Sequence, residues 1–428
     1  MFSYIMNLNF DLNDFIKLQV TKRPQSLLAD DFLRYDKQLH DRIDGKRVLV
    51  IGGAGSIGSH YIKALLKYDV AALYVVDINE NGLTELVRDL RSAGCYKIPQ
   101  EFLTYPVNFG DRVFEKLFLA QGPFHIVANF AAHKHVRSEK DVFSIEAMID
   151  NNVLRAKHLL DLLVKQPPEH FFCVSTDKAA NPVNIMGASK KLMEELIMAY
   201  ADRLPIKTAR FANVAFSNGS LPQGFLDRLI KRQPWSCPKG IRRFFVSPIE
   251  SGELCLIASV MGESGDIIYP KLDEERDMIP FEQVAVDLLR ALGMEPDICH
   301  SEEEARAKME EVLKCESSKV PDFRTSELQN LRTASWPVFF FESDTSGEKS
   351  FEEFYTPGEQ LDTDTFVNLG VVKNAKKRNL AEINGIFEAL KALFDQEQVT
   401  KTEVVAVLKR YLPNFEHIER GKGLDQKM

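Results

Sequence analysis

Residues 46–66 read KRVLVIGGAGSIGSHYIKALL, and this stretch decides the fold. KRVLVI is a short β-branched run of the kind that makes a buried strand. SHYIKALLKY, beyond the glycines, carries the 3.6-residue apolar period of a helix. Between them Gly53, Gly55 and Gly58 spell G-x-G-x-x-G. Placed between a strand and a helix, that spacing builds a phosphate cradle. The first glycine allows the tight turn, the second lets backbone approach a pyrophosphate, and the third lets helix pack on strand. The amides that open the helix, at Ser56 and Ile57, face the anion. A second strand, ALYVVD, ends in Asp77, 19 residues beyond Gly58. That is close to the spacing of about 20 at which an acid binds the ribose hydroxyls of NAD. No Arg or Lys follows in DINEN, so a 2′-phosphate would meet repulsion. The expected cofactor is NAD rather than NADP.

Outward from this point the same alternation continues. LTYPV, FHIVAN, FFCVS and KTARF read as buried strands, and NGLTELVRDLRS, NNVLRAKHLLDLLVK and SKKLMEELIMAYADRL as helices. Strand-helix alternation means parallel strands with covering helices, so the fold class is α/β, a doubly wound Rossmann sheet. The expected division is a helical extension over 1–45, a dinucleotide-binding domain over 46–212, a smaller substrate-binding lobe over 213–375 and C-terminal helices over 376–428. Within the lobe, WPVFFFESDTSGEKSFEEFY reads as β structure, with SDTSGEK as a turn between two aromatic runs.

Composition narrows the class. The 428 residues are 45% hydrophobic and 27% charged, as in an ordinary globular protein. A net charge of −8 argues against general nucleic-acid affinity, which needs clustered basic charge. Six scattered cysteines show no CxxC and no metal-ligand spacing, so reduced thiols and no metal are expected. No stretch reaches the roughly 18–20 apolar residues of a membrane span, and the first residues lack a basic n-region. A cytoplasmic location is expected.

A second motif, STDKAANPVNIMGASKK over residues 175–191, has the cadence of an oxidoreductase site. Ser175, Thr176, Asp177, Lys178 and Lys190 are present, but Met186 stands four residues before Lys190, where such sites carry tyrosine. A thioether neither accepts nor donates a proton. Together with GGAGSIGS, NFAAHKHV, NNVLRAKHL, RFANVAFSNGS, RRFFVSPIESGEL and GDIIYPKL, this motif resembles the extended short-chain dehydrogenase/reductase family. The nearest branch in resemblance is the nucleotide-sugar 4,6-dehydratases of polysaccharide biosynthesis that act on UDP-N-acetylglucosamine. The matching motifs cover about residues 45–290. The chain departs from the pattern at Phe130 and His133, where small residues are usual, and at Ala212, where glycine is usual. Met186 replaces tyrosine as in a subset of the branch.

The resemblance implies a reaction in which the sugar is oxidised at C4, a base takes the C5 hydrogen, water leaves from C6, and the hydride returns to C6. It implies Asp177 as the C6 acid, Lys178 as the C5 base, Lys190 on the nicotinamide ribose, and Thr176 or Ser175 on a sugar hydroxyl. Each of the first two then needs a shifted pKa, Asp177 raised and Lys178 lowered, as closure against water would produce. With Met186 inert, the C4 proton falls to Lys178, a water, or His133 or Lys134. Ala131, Ala132 and Asn108 are implied cofactor contacts. Lys134, His135, Asn213, Ser217, Gly219, Ser220 and Arg243 are implied on the nucleotide-sugar side. Asn152 is implied as a prop of the site's backbone. A nucleotide-sugar epimerase and a non-catalytic nucleotide-binding scaffold remain alternatives, and the resemblance implies a homo-oligomer.

Overall fold

A computed structural model describes residues 10–134, 139–317, 335–342, 352–375 and 377–418. Its centre is a nine-stranded sheet. Six strands alternate with helices: β1 (Arg47–Ile51), β2 (Ala72–Val76), β3 (Glu101–Tyr105), β4 (Ile126–Asn129), β5 (His170–Val174) and β6 (Ile206–Ala209). They lie parallel in the order β3-β2-β1-β4-β5-β6, the dinucleotide-binding order, with every residue of β1 in register with β2. Val48, Leu49, Val50 and Ile51 are buried, because helices cover both faces of a parallel sheet. The chain reverses its direction of travel across the sheet between β1 and β4. This opens a crevice at the carboxyl ends of the strands, where such folds place ligands.

Nine further strands follow: β7 (Asn213–Val214), β8 (Trp235–Pro238), β9 (Arg242–Val246), β10 (Asp266–Pro270), β11 (Met278–Pro280), β12 (Glu295–Cys299), β13 (Ser335–Phe341), β14 (Leu361–Asp362) and β15 (Leu369–Val372). Strand β10 extends the main sheet parallel to β6, and β15 and β14 close that edge antiparallel. So parts of the span 213–375 belong to the central sheet. The rest forms two small sheets, β11-β9-β7 and β12-β13-β8, around a second core holding Trp235, Phe225, Val284 and Leu288. Residues 10–20 join that second core through Phe15, Ile16 and Val20. The helices Ala29–Ile43, Leu380–Phe394 and Lys401–Tyr411 pack on the main core through Leu39, Ile43, Leu390 and Leu408.

The aromatic stretch corrects one expectation. Its first run does form a strand, β13, which pairs parallel with β8 and β12. No strand forms in the described part of the second run, residues 352–355, and the SDTSGEK turn lies outside the described residues. Among the described residues no helix is long and apolar enough to cross a membrane.

Candidate active site

The glycine loop after β1 brings three backbones together. Gly52 sits at φ +76°, and a Cβ there would stand 2.6 Å from the Ala131 nitrogen after β4. A Cβ on Gly58 would stand 2.3 Å from the Gly52 oxygen, which is why the helix Ser56–Leu65 can start so close to the strand. The tight turn is thus made at Gly52, not at Gly53 as the spacing suggests; Gly53 instead leaves room for Val75, whose Cγ1 would lie 2.3 Å from its Cβ. The doublet Gly52–Gly53 is the signal that sequence reasoning passed over. Asp77 closes the cradle from β2. Its carboxylate accepts the Ala54 amide at 3.0 Å and the Asn79 amide at 2.9 Å, so it both shapes the loop and keeps lone pairs for a ligand hydroxyl. On the neighbouring strand ends, the Asn129 side chain accepts the Ala131 amide at 3.0 Å, and the Asn108 side chain accepts that of Gly110 at 2.9 Å. Ala132 follows in the same half-buried loop.

At the end of β5 the chain turns through a short 3-10 helix, Asp177–Ala179, capped by Thr176. The Thr176 hydroxyl donates to Asp177 Oδ1 at 2.7 Å, so its first duty is to orient the acid. Asp177 is buried, and Lys178 Nζ donates to the same Oδ1 at 3.1 Å. A second carboxylate, Glu352 Oε1, lies 3.9 Å from that Nζ, and its side chain is only 4% exposed. Burial pulls the Lys178 pKa down, but the Asp177 and Glu352 carboxylates outweigh both burial and the opposing Arg243 cation, leaving it above the ordinary lysine value. The expected lowering of Lys178 is therefore reversed by two anions rather than one. Ser175 is not available to a sugar: it is buried and donates to Glu194 Oε1 at 2.7 Å.

The helix Ile185–Ala199 carries Met186 and Lys190, both buried. The Met186 amide donates to Glu139 Oε1 at 2.9 Å. Lys190 Nζ donates to the Val174 oxygen at 2.7 Å, and burial holds its pKa below the ordinary lysine value. Asn152 sits in a π-helical turn, Asp150–Leu154, a widened turn of the kind common at functional sites. Its side chain accepts the His133 amide at 2.8 Å and donates to the His133 oxygen at 2.9 Å and to Ser189 Oγ at 3.0 Å. One amide thereby pins the loop after β4 to the helix carrying Met186 and Lys190. Desolvation and the Arg155 cation hold the His133 pKa below its ordinary value. Lys134 is exposed beside it, and His135 lies outside the described residues.

The far wall comes from β7, β9 and the turn between them. Asn213 Nδ2 is buried and, among the described residues, has no hydrogen-bond partner, a costly state that a ligand acceptor would relieve. The turn over 217–220, with Gly219 at φ +73°, reaches the glycine cradle: the Asn218 amide donates to Ser56 Oγ at 2.9 Å. Ser217 accounts for one end of that turn, accepting the Ser220 amide, while Ser220 caps the helix Leu221–Ile230. Strand alternation separates the two arginines of β9: Arg243 is buried on the side facing Lys178, and Arg242 is exposed.

Residues 48–322 match the family of polysaccharide biosynthesis proteins. The chain belongs to that family. An uncharacterized membrane protein of Methanocaldococcus jannaschii is 33% identical over 59% of this chain and 74% of its own length. A probable polysaccharide biosynthesis protein of Bacillus subtilis, EpsC, is 28% identical over 55% of this chain, which spans only 40% of that relative. A UDP-glucose 4-epimerase of Rickettsia massiliae is 30% identical over 53% of this chain and 66% of its own length. In fold, the chain is similar to the X-ray structure of Pen from Bacillus thuringiensis, with a TM-score of 0.58 and 18% identity over 79% of this chain and 90% of that one.

Proposed function

We propose that this chain is a nucleotide-sugar 4,6-dehydratase acting on UDP-N-acetylglucosamine in polysaccharide biosynthesis. The broader part of that reading, an enzyme that modifies nucleotide sugars, is supported by the family and by its 4-epimerase relative. The observation that carries the narrower part is the pair of buried Asp177 and half-buried Lys178, 3.1 Å apart, in a motif where Met186 is inert.

The residues fit a dinucleotide. Gly52 and Gly58 bring loop, strand and helix close together, Gly55 leaves room for backbone approach to a pyrophosphate, the amides of Ser56 and Ile57 open the helix behind it, and Asp77 keeps acceptors for ribose hydroxyls. NAD, when bound, supplies a reversible hydride acceptor. Asp77 gives a 2′-phosphate only repulsion, which supports NAD over NADP. Lys190 supplies positive charge at the ribose, its amine kept in place by the Val174 oxygen. On the sugar side Asn213, the 217–220 turn and Arg243 meet the diphosphate, since a guanidinium fork matches its oxygens. In this scheme residues 46–212 hold the dinucleotide, 213–375 contribute most of the sugar site, and 1–45 and 376–428 are terminal additions. A cytoplasmic location and a homo-oligomer accompany the proposal.

With C4 at the ketone level the C5 hydrogen is acidic, and elimination needs a neutral amine and a protonated acid side by side. The pair already holds one shared proton. Its transfer from Lys178 to Asp177 makes the amine and the acid without help from solvent, and a dry site lowers the cost of that neutral form. Lys178 then takes the C5 proton, the C6–O bond breaks, and Asp177 protonates the departing hydroxide to water. Elimination regenerates the ammonium-carboxylate pair seen here.

The test is incubation with UDP-N-acetylglucosamine and NAD in heavy water. The expected product has lost one water and carries deuterium at C5, and Asp177→Asn slows its formation at least ~100-fold. A product with its C6 hydroxyl intact overturns the dehydratase in favour of the second reading, a nucleotide-sugar epimerase, which the Rickettsia relative supports.

A further inference from the structure

Glu352 lies outside every motif in the dinucleotide-binding half and beyond the span matched by the family, yet it is one of the nearest anions to Lys178. We infer that Glu352 is a positioning residue of the site, a second carboxylate that fixes the Lys178 side chain beside Asp177. The inference rests on the reading of Lys178 as the C5 base.

Three observations support it. The contact is largely shielded, with Glu352 buried at 4% and Lys178 half-buried at 17% side-chain exposure, so solvent screens it less than a surface pair. Its backbone is anchored rather than loose. Arg210, itself fully buried, donates to the Phe354 oxygen at 3.0 Å and forks onto Glu359 with both bonds at 2.9 Å. Phe354 is held between Phe244 and Tyr269, with ring centroids 5.2 and 6.2 Å away. The same Arg210 forks onto Glu194 of the helix that carries Met186 and Lys190. Glu352 is therefore fixed relative to that helix by one guanidinium. The arrangement also has a chemical use. The charges facing Lys178 are Asp177 on its own turn, Glu352 from the C-terminal segment and Arg243 from β9. Asp177 must change protonation during elimination, so it cannot hold the amine through the whole cycle. Glu352 takes no part in that transfer and can keep the amine in place while Asp177 is protonated.

The experiment titrates the Lys178 ε-carbon by NMR in the full chain carrying 13Cε-lysine, its signal assigned by its loss in Lys178→Gln. The expected wild-type midpoint lies above that of free lysine. Glu352→Gln is expected to lower it by about one unit, the size of effect an opposite charge has at this distance. Glu352→Asp keeps the charge and is expected to stay near wild type. Dehydration assays should show kcat falling in Glu352→Gln with KM unchanged, and the alkaline limb of the rate profile moving to lower pH with the NMR midpoint. An unmoved midpoint in folded Glu352→Gln overturns the inference. Should that variant not fold, a wild-type midpoint below free lysine, or a Glu352→Asp midpoint as low as free lysine, overturns it equally. If the wild-type chain releases no water from the sugar, the dehydratase reading fails by itself, and the NMR midpoints still decide whether Glu352 holds Lys178.

Discussion

A thioether at position 186 changes what its neighbours must do. Met186 is 2% exposed, its amide is taken by Glu139, and its carbonyl accepts the Ser189 hydroxyl at 2.7 Å. A phenol there is bulkier than the buried thioether and brings a hydroxyl that needs a partner of its own. Met186→Tyr, which restores the commoner residue, is expected to destabilise the chain by about 1–3 kcal/mol through overpacking, with no gain in water release. Urea unfolding and the dehydration assay read the two effects separately. At this scale the site was partly legible. Asp177, Lys178, Lys190 and Asn152 stand out because they lie in one contiguous motif each. The direction of the Lys178 pKa was not legible, because it depends on Glu352, an acid 174 residues away with no motif around it. Gly52 was obscured by its own neighbour: a doublet offers two registers, and only the backbone shows which glycine makes the turn.

Strands and helices were legible where local pattern decides them. The six runs read as strands before residue 212 became β1 to β6, because a parallel strand needs only a β-branched run bounded by turns; β3, at the sheet's edge, is half-exposed rather than buried. Partner choice is not local. Phe339 and Phe340 of β13 pair with Ser236 and Cys237 of β8, about a hundred residues earlier, and nothing within the aromatic run announces this. The segment SPIESGEL holds a similar surprise. It forms the helix Pro248–Met261, which lies against the cradle helix Ser56–Leu65. A Cβ on Gly252 would stand 2.2 Å from the His60 oxygen and 2.7 Å from the Tyr61 nitrogen. Those neighbours are backbone, so the whole helix must move. Gly252→Ala is expected to cost about 1–3 kcal/mol and to weaken binding of a nicotinamide dinucleotide about tenfold, as calorimetry would show. A second element effect joins β5 to β6. Lys207 Nζ lies 2.9 Å from His170 Nδ1; burial first, then the Arg42 cation, bring the lysine down to about 8 from 10.5. Between those values the unfolded chain binds the proton and the folded chain does not, so stability rises with pH across that window. Lys207→Met is expected to flatten the rise in urea midpoints measured from pH 7.5 to 10.

Across the whole molecule, one buried guanidinium connects three distant parts of the chain. Arg210 follows β6, Glu194 lies on the helix with Met186 and Lys190, and Glu359 lies just before β14, so Arg210 joins the sheet, the site helix and the C-terminal segment. The motif RFANVAFSNGS opens on Arg210, but nothing local in it announces the distant acids that the guanidinium joins. The Arg210 fork, the Lys191 cation and the Ser175 hydroxyl overcome burial and bring the Glu194 carboxyl down to about 2 from 4.5. Because the folded value is the lower one, the pair contributes stability that is fully present above pH 4.5 and is lost as pH falls toward 2. Removing the cation leaves the buried Glu194 carboxylate with the Lys191 ammonium, 3.6 Å away, and leaves Glu359 without its fork. Arg210→Met is therefore expected to destabilise the chain by ~3–5 kcal/mol at pH 7. The deficit should shrink as pH is lowered toward 4.5, because the buried Glu194, without the Arg210 cation that holds its pKa down, takes up a proton at higher pH. Urea unfolding of wild type and variant at pH 4.5, 6 and 7.5 measures both parts. A deficit independent of pH would mean that Arg210 acts by packing alone and leaves the two acids uncoupled. If the fork instead holds the C-terminal segment to the site, a sub-denaturing condition in which Arg210→Met remains folded should already show Lys178 titrating lower, as Glu352 drifts from it.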